Sequence, residues 1–116
     1  MNESSLEKRL RFQLACSVIV WRKAQPHRFA SVTSESGRHR ISLPPGYDDW
    51  YTLQTLIHEL CHVAVPGELG AFGSFQEDII ERVLEPRLVD WLARHPKAQG
   101  WWLAKLRAAR PKKRTK

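Results

Sequence analysis

The stretch Thr55-Leu56-Ile57-His58-Glu59-Leu60-Cys61-His62 fits H-E-x-x-H and sits inside an apolar segment long enough for a helix. Histidines four apart on a helix stand one above the other on the same face, so both imidazoles can reach one metal ion. Glu59 follows the first of them. In the hydrolytic chemistry this spacing supports, such a carboxylate accepts a proton from a water whose pKa the metal has lowered to roughly 7. Two imidazoles make an incomplete site, because catalytic zinc takes three protein ligands and keeps a fourth position open.

Asp48 or Asp49 can cap the motif helix, and Trp50, Leu53, Leu56, Ile57, Leu60 and Val63 carry its apolar stripe until Pro66-Gly67 breaks it. Residues 66–73 hold three glycines and no period, which predicts a chain reversal. Ser74 then opens a helix with Ile80, Leu84, Leu88 and Trp91 on one face, bent at Pro86 and stopped at Pro96. A last short helix over 98–109 offers Trp101, Trp102, Leu103 and Leu106 to the core.

Candidates for the third ligand are Glu77, Asp78, Glu81, Glu85, Glu68, Cys61, His95 and His39. At about 100° per residue Glu77 shares the sector of Leu84, Leu88 and Trp91, Glu81 lies at its margin, and Asp78 faces away. A carboxylate on a buried face needs a partner, and a metal ion would be one. The plainer reading is a capping box, Ser74-Phe75-Gln76-Glu77, in which Glu77 folds back on the helix start. Glu81 is the alternative third ligand. If Glu77 is the ligand, Glu81 is placed to accept the free N–H of a ligating histidine, or else is a solvated helix charge. Cys61 reads as a small buried apolar residue. Tyr47, Tyr51, Arg82 and Arg87 could meet a substrate oxyanion, and nothing in the sequence selects one.

Upstream, Ser4 or Ser5 can cap a helix carrying Leu6, Leu10, Leu14 and Val18 to about Lys23, although Val18-Ile19-Val20-Trp21 is β-branched and also fits a strand. Segments 28–33 and 38–43 alternate loosely around Ser34-Glu35-Ser36-Gly37, which predicts a hairpin with Gly37 at positive φ.

A chain of 116 residues makes one domain, expected over 1–109, with 110–116 a basic and disordered tail. The net charge of +7 is uneven: residues 91–116 contain nine Lys or Arg and no Asp or Glu. Such a tail attracts nucleic acid by phosphate neutralisation, but basic ends more often serve solubility, so nucleic acid is not the favoured partner. Two cysteines form no disulfide framework, and the opening residues lack an apolar signal region, which suits the cytoplasm. No apolar run approaches the roughly 20 residues that span a bilayer, so no membrane role is expected. No feature selects an oligomeric state.

With these residues in hand, the chain resembles the gluzincin class of zinc metallopeptidases, and more narrowly its minimal single-domain members, the minigluzincins. Short phage-type metallopeptidases look similar through the same segments, from about Arg38 to Pro96. The resemblance implies an α+β, zincin-like domain: an N-terminal helix, a short antiparallel hairpin or small sheet, the motif helix, a helix carrying the third ligand, and a C-terminal helix. It implies one zinc ion per chain on His58, His62 and Glu77, with Glu59 as general base in peptide-bond hydrolysis and a peptide or protein as substrate. The strand at Arg40, Ile41 and Ser42 would pair with that peptide by edge-strand addition. The interval from His62 to Glu77 is short for large gluzincins, and no Asn-Glu signature precedes the third ligand. Two alternatives share the metal site: a metal-stabilised binding module, nucleic-acid associated as in SprT-like domains, and a repressor-cleaving protease resembling the ImmA/IrrE-like group. Phosphoryl transfer lacks support, since there is no Gly-rich phosphate loop.

Overall fold

The computed structural model describes residues 3–24, 29–35, 38–64 and 78–111. Helix α1 (Glu3–Ala15) buries Leu6 and Leu10, and ends sooner than the expected run to Lys23. Its end is closed by the Ser17 hydroxyl, which donates to the Gln13 carbonyl oxygen at 2.6 Å and so satisfies a carbonyl of the last turn. Val18-Ile19-Val20 then follows its β-branched preference, and β1 (Ser17–Trp21) forms instead of a longer helix.

The hairpin is present as β2 (Ser31–Glu35) and β3 (Arg38–Leu43), antiparallel with Val32 opposite Ile41. Ser36 and Gly37, with the positive φ expected at Gly37, lie outside the described residues. β1 joins the other side of β3 in parallel, with Ile19 opposite Ile41, so the strand order is β1-β3-β2. This order corrects one expectation. Arg40, Ile41 and Ser42 belong to the central strand, both of whose edges are already paired, and a strand in that position cannot add a peptide. Alternation along β3 places Ile41 and Leu43 in the core.

Asp48 caps α2 (Asp49–Ala64), its Oδ1 accepting from the Tyr51 N–H at 2.8 Å. Leu53, Leu56, Ile57, Leu60 and Cys61 are buried along one face of α2. Each such leucine contributes about 1.5–3 kcal/mol of burial free energy. Pro86 shows why the next helix bends. A proline ring crowds the carbonyl four residues back and offers no N–H. Here the chain widens into a π-helical segment, Ile80–Leu84, in which the Glu85 N–H reaches the Ile80 carbonyl, and Pro86 sits in the first turn of α3 (Glu85–Ala93). Ile80, Leu88 and Leu92 face the core.

Helix α4 (Pro96–Ala109) begins at the proline expected to stop its predecessor and buries Trp102 and Leu106. Its end is tied to the sheet, since Trp21 Nε1 donates to the Ala109 carbonyl at 2.8 Å. Arg107 Nε and Arg110 Nε donate to the two oxygens of Asp49 at 2.8 and 3.0 Å. The Arg107 hydrogen bond does most to hold the Asp49 carboxyl below its ordinary value, burial opposes it, and Arg110 reinforces it. Arg110 therefore belongs to the fold, one residue beyond the expected boundary, and of the expected tail residues 112–116 lie outside the described residues. Together these elements make a small α+β unit of four helices and a mixed three-stranded sheet. Among the described residues no helix is long and apolar enough to cross a membrane.

Candidate functional site

Helix α2 has a second face. Opposite its buried leucines, Tyr51, Thr55, His58, Glu59 and His62 line a cavity of about 890 Å³. Spacings of four, three and four residues from Tyr51 through Thr55 and His58 to His62 keep these side chains on one stripe of the helix. The facing walls are Phe29 to Thr33, which includes the first half of β2, and the carboxylates Glu81 of the π-helical segment and Glu85 at the start of α3. The His58 and His62 rings meet edge to face, with centroids 5.0 Å apart. Glu59 is 8% exposed, so the motif carboxylate is nearly enclosed while it still borders the cavity.

His58 Nδ1 donates to Glu85 Oε2 at 3.1 Å. A carboxylate only accepts, so this bond places a ring proton on Nδ1. Glu81 is the residue expected to meet the second nitrogen of a ligating histidine; the carboxylate within hydrogen-bonding distance of His58 is Glu85, one helical turn further on. Both carboxylates line the cavity, as residues four apart on one helical face can. The signal was in the sequence as a second glutamate four residues after Glu81, but which of the two reaches His58 depends on how α3 docks on α2.

Glu77, the preferred third ligand, lies outside the described residues, as do Ser74, its capping-box partner, and Glu68. Of the remaining candidates, Cys61, His39 and His95 are engaged elsewhere. Cys61 is fully buried, and burial first, then the charge of Glu85, pushes its thiol up to about 12, so it is an apolar packing residue. His39 shares a hydrogen bond of 2.7 Å with the Ser34 hydroxyl, and His95 stacks on Trp91 with ring centroids 3.9 Å apart. Asp78 is exposed. Of the residues considered for an oxyanion, Tyr51 lines the cavity; Arg82 and Arg87 are exposed and do not.

Among the described residues, no three His, Cys, Asp or Glu side chains converge on a point suited to a metal ion. The donor types bordering the cavity nevertheless suit zinc: two imidazoles from one helix face, one with its second nitrogen held by a carboxylate, and a further carboxylate in the same wall. No family model, curated protein or solved structure matches the chain.

Proposed function

We propose that this chain is a zinc-dependent peptidase of zincin-like architecture. The observation that carries the proposal is the gathering of His58, Glu59 and His62 on one wall of a cavity whose facing wall is an edge strand. His58 and His62 would hold the ion through ring nitrogens, with Glu77 as the third ligand the sequence favours and Glu81, which borders the same cavity, as its alternative. A bound zinc ion would supply Lewis acidity. Glu59 takes the proton of the attacking water and passes it to the leaving amine, a role suited to a nearly enclosed carboxylate beside the two imidazoles. Glu85 keeps the His58 ring in one tautomer. The substrate lies along β2, which among the described residues pairs with β3 on one side and presents its other edge for main-chain hydrogen bonds with an extended peptide.

The test is metal analysis of the purified protein beside cleavage of an unstructured protein substrate. Glu59→Gln should retain the metal and lose cleavage by about 10²-fold or more. His58→Ala and Glu77→Ala should lose the metal. Full zinc occupancy in His58→Ala would overturn the reading, and loss of zinc in Glu81→Ala with retention in Glu77→Ala would move the third ligand to Glu81.

A further inference from the structure

Beyond the reacting end of the cavity stands a group of aromatic rings that the motif does not require. Phe29 meets Tyr47 edge to face at 5.1 Å between ring centroids and Tyr51 at 5.8 Å, while Tyr47 and Tyr51 lie 5.2 Å apart. The three are 36%, 44% and 45% exposed, and they account for half of the six large hydrophobic side chains exposed among the described residues. Single exposed apolar residues are ordinary on a protein surface, but a contiguous set beside a cavity is not.

The cluster is also held in place. Gly46 adopts φ +93°, which only glycine takes without strain, and the turn it makes brings Tyr47 beside Tyr51. The Arg110 guanidinium, fixed by Asp49, donates to the Tyr47 carbonyl at 3.1 Å. Phe29 and Tyr51 line the same cavity as His58 and His62.

We infer that Phe29, Tyr47 and Tyr51 form the specificity subsite of this cavity, and that it takes an aromatic or large aliphatic side chain of a peptide substrate. The inference rests on the peptidase reading and adds the substrate's chemistry and register. Tyr51 precedes His58 by seven residues, a rise of about 10 Å along a helix. An extended peptide advances about 3.3 Å per residue, so the side chain received by the rings stands about three residues from the bond that is cleaved. An apolar side chain suits the place better than a basic one. The Glu85 carboxylate pairs with His58, two turns along α2 from Tyr51, and none of the three rings carries a charge that could pair with a cationic head.

The experiment separates this inference from the peptidase reading by measuring binding without turnover. Zinc-loaded Glu59→Gln is titrated with alanine–serine peptides in which one Phe, Leu, Lys or Asp is walked through successive positions. Phe and Leu should each tighten binding about tenfold over alanine at a single position. Adding Tyr51→Ala should bring that ratio toward one, and adding Tyr51→Phe should keep it. In the cleaving protein, the same Phe preference should appear as a lower KM at a position about three residues from the cut. A preference for Lys, a ratio unmoved by Tyr51→Ala in a variant with wild-type circular dichroism, or a preference adjacent to the cut would each overturn the subsite. Binding with the expected preference but no cleavage by the wild-type protein would uphold the subsite and defeat the peptidase reading.

Discussion

Glu7 and Glu85 are both carboxylates drawn toward the interior, and their surroundings differ in a way that separates structural from functional polarity. Glu7 on α1 is 4% exposed and closed in by partners: Trp102 Nε1 donates to it at 2.8 Å, and Arg11 Nε, one helical turn away, donates to the same oxygen. The Trp102 hydrogen bond fastens α1 to α4 across the core. Glu85 keeps a 22% exposed side chain, meets one ring nitrogen of His58, and otherwise borders an open cavity with a second glutamate and a second histidine. A buried charge whose partners surround it is part of the packing. One whose neighbours leave room for a ligand is part of a site.

Substitutions at the two positions should part in kind as well as in size. Glu7→Ala leaves the Trp102 N–H without its acceptor in the core and should lower stability by about 1–3 kcal/mol, read from urea denaturation. Glu7→Gln restores an acceptor and should recover part of that loss. Glu85→Ala should cost less than about 1 kcal/mol of stability but weaken zinc binding about 10- to 100-fold, measured by competition with a chromogenic chelator. A Glu7→Ala protein as stable as wild type, or a Glu85→Ala protein that unfolds without any loss of metal affinity, would erase the distinction.

A third carboxylate, Asp49, sharpens the same contrast at the surface. Its folded pKa is lowered, so its contribution is fully present above the unfolded value near 3.8 and is lost as pH falls through the folded one. Asp49→Asn should therefore be less stable than wild type by under about 1 kcal/mol at neutral pH. The difference should vanish in strong acid, as followed by urea midpoints across the acid range.

Much of the site was legible because it is local. The four-residue spacing of His58 and His62 fixes their shared face on any helix, and Asp48 announces where that helix starts. The hairpin pairing of β2 with β3 was legible from alternation. The C-terminal half of the first predicted helix was misread because Val18-Ile19-Val20-Trp21 supports two periods, and the parallel pairing with β3 decides between them. That same pairing removed Arg40, Ile41 and Ser42 from the edge of the sheet and left β2 beside the cavity.

By itself, then, the sequence determined which residues share a helix face, where caps and prolines interrupt the chain, and that one helix carries two imidazoles around a carboxylate. These depend on contacts within a turn or two. Tertiary structure decided which strands stand at the edges of the sheet among the described residues, which glutamate reaches His58, and that Phe29, Tyr47 and Tyr51 gather beside the cavity. Each of those is a meeting of residues from separate elements. The geometry is set by how α2, the sheet and α3 pack, and helical or strand periodicity carries no information about it.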